Sequence, residues 1–158
     1  LGSVVQRNPN LKAIFPKSVF STCCINFGPV TTRPHRDVQN YPFGLCAIQA
    51  LGMFDHTKGG HLVLWEANLA LEFPAGATAL IPSSLITHSN TPISGSEKRA
   101  SFVQYTQGEL LRYAENGGAT DRALQKADPE LAEKLQQHRR ASWKEGILMF
   151  PNIHSIEK

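Results

Sequence analysis

His35-Arg36-Asp37 sets an imidazole and a carboxylate two residues apart, and a lone His88 follows 51 positions after the carboxylate, in Ile86-Thr87-His88-Ser89-Asn90. On an extended segment, side chains two apart point to the same face. A histidine from a separate strand can then complete three ligands on one side of a metal. Two histidines and one carboxylate, with the remaining coordination positions open, make the facial triad of a non-haem Fe(II) site.

Those open positions suit a chelating co-substrate and O2. A 2-oxo acid such as 2-oxoglutarate grips the metal with one end and leaves a carboxylate at the other, which a cation in a dry pocket must hold. Arg99, eleven residues after His88, is placed for that task. The interval accommodates the end of one strand, a turn over Thr91 to Ser96, and the start of the next antiparallel strand. Alternation along Arg99 to Thr106 puts Arg99, Ser101 and Val103 on one face, so Ser101 can donate to the carboxylate that Arg99 pairs with.

These residues, together with Gly59-Gly60-His61-Leu62 and Phe73-Pro74-Ala75-Gly76, resemble the Fe(II)/2-oxoglutarate dioxygenase superfamily over roughly Ser18 to Gln107. The resemblance implies a double-stranded β-helix, a jelly-roll relative of the cupins. It implies His35, Asp37 and His88 as iron ligands, Arg99 and Ser101 as the 2-oxoglutarate site, and a reaction that yields succinate, CO2 and a hydroxylated C–H bond. Within the superfamily, the compact core, the Arg-Asp ending of His-Arg-Asp and the Gly-Gly turn look most like the TET/JBP branch. That branch oxidises the methyl group of 5-methylcytosine or thymine in nucleic acid; the prolyl-hydroxylase-like branch has a similar skeleton.

A methyl group on a stacked base cannot reach a buried iron, so DNA containing methylated bases would have to present that base flipped out. Asn40, Tyr41 and Phe43, in the loop after the triad carboxylate, are candidates for gripping it. His61 opens a strand just after the Gly-Gly turn and is a further candidate for touching substrate or 2-oxoglutarate. His56, His138 and His154 sit in polar stretches and read as surface residues.

Charge gives an independent hint about the substrate. The formal net charge is +3, yet in residues 1–54 Arg7, Lys12, Lys17, Arg33 and Arg36 face a single acid, Asp37. With Lys58, Arg139, Arg140 and Lys144 they could line a phosphate-contacting surface, or serve as ordinary solvated charge.

At 158 residues and 41% hydrophobic composition, the chain reads as one domain able to bury its own core, without an apolar run that could span a bilayer. Cys23, Cys24 and Cys46 form no C-x-x-C pair and read as small apolar residues, which argues against a disulfide framework or zinc site and for an intracellular setting, nuclear or cytoplasmic. The opening Leu1-Gly2-Ser3 carries no targeting pattern and suggests a processed or excised piece. The buttressing helices usual in this class are expected to lie upstream. Oligomeric state leaves no trace in the sequence.

The expected elements are about eight strands followed by helices, a mainly β fold with a helical C-terminal region over residues 108–158. Strands are expected at Val19 to Phe27 (broken by Gly28-Pro29), Thr31 to Asp37, Leu45 to Phe54 (buried on both faces), His61 to Trp65, Leu69 to Phe73 (Leu69, Leu71 and Phe73 inward), Ala77 to Ile81, Leu85 to Ser89 and Arg99 to Thr106. Helices follow at Glu109 to Glu115, after a cap at Thr120 or Asp121, and after the start Asp128-Pro129-Glu130, where Leu131 and Leu135 share a stripe. They are expected to pack outside the barrel. Two further functions stay open: a 2-oxoglutarate hydroxylase of protein side chains or small molecules, and a non-enzymatic jelly-roll binding module, which the intact Arg99-x-Ser101 makes least attractive.

Overall fold

The computed structural model describes residues 15–28 and 31–150; Arg7, Lys12, Pro29 and His154 fall outside them. The contacts divide the chain into two compact units, with the break after Gly108.

The first unit is a double-stranded β-helix made of antiparallel strands. Seven strands form among the described residues: β1 (Thr22–Phe27), β2 (Cys46–Met53), β3 (Leu62–Leu64), β4 (Leu69–Leu71), β5 (Thr78–Ile81), β6 (His88–Asn90) and β7 (Lys98–Tyr105). One sheet has four strands in the order β1-β7-β2-β5, and the other has three in the order β4-β3-β6. β-Branched and aromatic residues in β1 and β7 suit the pleated surface. Ala50, Leu62, Phe73 and Ile81 form the buried cluster between the sheets, with Ile48, Phe54, Leu64, Ala77 and Ala79 packed against it.

Four expectations need correction. Thr31 to Asp37 contributes one bridge, His35 to His88, and not a strand; Pro34 lacks the N–H a ladder would use. β6 starts only at His88, because the Leu85 and Ile86 amides turn back to the Pro82 carbonyl. β2 is not buried on both faces, since Leu51 and Met53 are exposed. Leu69 and Leu71 are exposed too, because β4 is an edge strand paired only with β3; Phe73, just beyond it, is the residue that reaches the core.

The second unit is helical: α1 (Gly108–Glu115), α2 (Asp121–Ala127), α3 (Pro129–Ala141) and α4 (Trp143–Ile147). Gly117 and Gly118, both at positive φ, end α1, with the Gly118 amide donating to the Tyr113 carbonyl. Thr120 caps α2 by accepting from the Ala123 amide, and Asp128 caps α3 by accepting from Leu131, with Pro129 in the first turn. Arg139 ties three segments together through Glu115, Asp121 and Asn116. The expected apolar stripe is weak: Leu131 is exposed, and Leu124 of α2 is buried instead. No helix among the described residues is long and apolar enough to cross a membrane.

Candidate metal centre

A single β-bridge assembles the centre. The His35 amide donates to the His88 carbonyl at 3.1 Å and the His88 amide donates back at 2.9 Å, which brings the imidazole centroids to 4.4 Å. Asp37 follows, its amide held by the Ser83 carbonyl at 2.9 Å. One Asp37 oxygen lies 3.5 Å from His35 Nε2 and the other 3.8 Å from His88 Nε2. One ligand atom from each of the three residues falls within 4.8 Å of the other two.

The hydrogen bonds prepare this cluster for a cation. His35 Nδ1 lies 2.8 Å from the Arg33 carbonyl, and His88 Nδ1 3.0 Å from that of Ile86. A carbonyl can only accept, so Nδ1 of each ring carries the hydrogen, the tautomer that in a neutral ring leaves the Nε2 lone pair for a metal. Asn40 donates from Nδ2 to Asp37 at 3.3 Å and to the Ser83 hydroxyl at 3.0 Å, steering the carboxylate. His88 is almost fully buried, while His35 and Asp37 are about one-third exposed, so the centre opens to one side. Two imidazoles and a carboxylate, each oriented by a hydrogen bond from behind, fit a divalent first-row metal such as Fe(II).

The centre lines a cavity of about 540 Å³ that also receives Arg99, Ser101, Val103 and Tyr105 from β7. Alternation along β7 therefore delivers the face expected of it. Arg99 is 8% exposed, forms no ion pair among the described residues, and has its Nε buried without a hydrogen-bond partner. Burial pulls its pKa below the usual arginine range. Ser101 accepts from Asn26 Nδ2 at 3.2 Å, which leaves its own hydroxyl hydrogen to donate. A buried guanidinium without a counter-charge is costly unless an anion joins it.

The chain has the fold of NgTET1. The solved structure of NgTET1 in complex with 5mC DNA superposes with a TM-score of 0.56 at 18% sequence identity, covering 68% of this chain. The match takes in 41% of that chain, so the present sequence spans less than half its length. At this identity the likeness establishes the fold. No protein-family model and no curated protein matches the chain.

The remaining sequence candidates are placed less directly. Asn40 lines the cavity, but its amide is engaged with Asp37 and Ser83. Tyr41 and Phe43 pack edge to face on one another at 5.6 Å and do not line the cavity; Val38 and Gln39 of the same loop do. His61 also lies outside the lining, its amide donating to Thr91. Lys58 pairs with Asp55 at 2.8 Å and Arg139 with Glu115 at 2.9 Å, so each already has an acidic partner, while Arg33 and Arg36 remain exposed beside His35. His56 lies 3.7 Å from Glu72, and all three cysteines are free thiols.

Sequence reasoning missed Ser83, whose carbonyl accepts from the Asp37 amide and whose hydroxyl accepts from Asn40, and Phe54, whose ring lies under Arg99. The turn Pro82-Ser83-Ser84 carries no motif of its own. Only the fold brings it against the loop after His35.

Proposed function

We propose that the protein is an Fe(II)/2-oxoglutarate-dependent dioxygenase that hydroxylates a C–H bond, with the methyl group of 5-methylcytosine or thymine in nucleic acid as its substrate. The supporting observation is one cavity that holds both a metal-ready His35-Asp37-His88 face and a buried, unpaired Arg99. A metal-binding module would need the first feature alone. A two-ended ligand, chelating at one end and anionic at the other, explains both.

Fe(II) held by His35, Asp37 and His88 would supply O2 activation coupled to decarboxylation of 2-oxoglutarate. The chain's own residues do the positioning. The Nδ1–H donors fix the two rings, Asn40, itself bonded to the Ser83 hydroxyl, steers the carboxylate, and Arg99 with Ser101 takes the far carboxylate of the co-substrate. Arg99 is buried, so its attraction for that carboxylate is little screened by bulk water. NgTET1, with which the fold is shared, was solved with 5mC DNA. Arg33 and Arg36 can contact phosphate, while Val38, exposed at the cavity, can pack against a flipped base.

The engagement of Lys58 and Arg139 in internal ion pairs favours a second reading, in which the hydroxylated group belongs to a protein side chain or a small molecule and no phosphate track is required. Either substrate suits an intracellular enzyme. The test is succinate release by anaerobically Fe(II)-loaded protein given 2-oxoglutarate and O2, with duplex DNA containing 5-methylcytosine against the same unmethylated duplex, the base being followed by mass spectrometry. Methyl-dependent turnover to a hydroxymethyl product is expected. Succinate formation indifferent to DNA would transfer the substrate to proteins or metabolites, and no succinate under any condition would end the oxygenase reading.

A further inference from the structure

We propose that Phe54 is a positioning residue for the distal carboxylate of the co-substrate, acting through Arg99 in a space that Gly60 keeps open. The inference rests on the dioxygenase reading above and adds a residue from outside the cavity lining.

The guanidinium carbon of Arg99 lies 5.7 Å from the centroid of the Phe54 ring, inside the range of a cation–π contact. Phe54 follows β2 directly and packs against the core cluster, so its ring is anchored from behind. Arg99 rises into the cavity from β7, directly across from Gly52 of β2. With neither an ion pair nor an Nε partner, Arg99 gets its orientation from packing, and the aromatic face is the group that favours the charged form there. A ring is a weak counter-charge. It holds the guanidinium in place and leaves its donors for an incoming anion, whereas a carboxylate would have occupied them.

Gly60 completes the bracket. Its φ is +70°, and a Cβ there would meet Phe54 Cε2 at 2.8 Å and Arg99 Cδ at 3.2 Å. The second glycine of Gly59-Gly60 thus serves a purpose beyond the turn: it is the gap through which the ring and the arginine stem pass each other. A preorganised arginine binds a carboxylate without the ordering cost of a free one.

The test titrates 2-oxoglutarate and pyruvate into Mn(II)-loaded protein by calorimetry. Both present the same chelating 2-oxo acid, but only 2-oxoglutarate carries a distal carboxylate. For Phe54→Leu, 2-oxoglutarate affinity is expected to fall about ten-fold, the size of a desolvated cation–π contact, with pyruvate unchanged. Phe54→Tyr keeps the aromatic face and should restore wild-type binding. Gly60→Ala, which pushes on the ring without removing it, should weaken 2-oxoglutarate selectively as well. Unchanged 2-oxoglutarate affinity in Phe54→Leu, equal weakening for both ligands, or a Phe54→Tyr variant as weak as Phe54→Leu would each overturn the role of Phe54 and leave the dioxygenase reading intact. Wild-type protein that binds 2-oxoglutarate no more tightly than pyruvate would remove the distal-carboxylate site itself, and both readings with it.

Discussion

On the inner face of the four-stranded sheet stand Cys24, Asn26, Arg99, Ser101 and Tyr105, while on the outer face stand Ile25, Phe27, Leu51, Met53 and Leu80. The register makes the division clean: Asn26, Ser101 and Ala50 lie side by side, as do their neighbours Phe27, Ala100 and Leu51 on the other face. Burial runs against polarity. Arg99 and Ser101 are each 8% exposed, whereas Phe27 is 77% and Met53 78% exposed. In an ordinary sandwich the apolar set would face the second sheet. Here part of the inner face has been given to a polar cavity, and Ile48, Ala50 and Ile81 carry the packing that remains. Polar residues placed where burial is costly mark function, because stability alone would not keep them there.

The sharpest way to break this contrast is at the metal. His88→Ala should abolish succinate release and strongly weaken Fe(II) binding, read by metal titration, while the fold survives; retained turnover would sink the assignment of His88 as a ligand. Arg99→Met comes next. Loss of the cation should weaken 2-oxoglutarate by roughly 100-fold or more, the scale of a broken buried charge pair. Thermal stability should hold or rise, since the side chain lost is an unpaired buried charge. A fall in melting temperature matching the loss of binding would make Arg99 a structural residue.

Cys46 sharpens the comparison through pH. It is 1% exposed on the inner face, and its thiol is pushed up to about 11 by burial, opposed by a hydrogen bond from Ser83 and reinforced by the charge of Asp37. Unfolded, the thiol ionises near 9.0, so between these values the folded chain holds a proton that the unfolded chain has released. Its contribution is fully present below pH 9 and is lost as pH rises toward 11, by roughly 3 kcal/mol. Denaturant melts from pH 8 to 11 should show that slope in wild type and a shallower one in Cys46→Ala. The smallest effects belong to the outer face: Phe27→Ser and Met53→Lys should each change unfolding free energy by no more than about 0.5 kcal/mol, and a larger loss would show that this face is covered in solution.

Residues with local causes were readable from the chain. The capping roles of Thr120 and Asp128 and the stop at Gly117-Gly118 depend on neighbours a few positions away. The β7 face bearing Arg99 and Ser101 follows from a period of two. The triad was legible because two of its members share one short segment, and because His88 could be paired with them by chemistry. Less could be read where position in a sheet decides the outcome. Leu69 and Leu71 alternate as core residues do, yet an edge strand with a single neighbour leaves them in solvent. Tyr41 and Phe43 are as aromatic as any base-stacking pair, yet they pack on each other.

Which groups can bind a metal and an anion, and which local turns and caps form, follow from the chain alone, because these depend on side-chain chemistry and on short-range geometry. Strand pairing and packing bring about the rest: the His35–His88 bridge closes the triad, Asn40 braced by Ser83 steers its carboxylate, and Phe54 lies behind Arg99. Each of those contacts joins residues brought together by strand order and register. No local property of the chain encodes a pairing that exists only once two sheets have packed around a shared cavity.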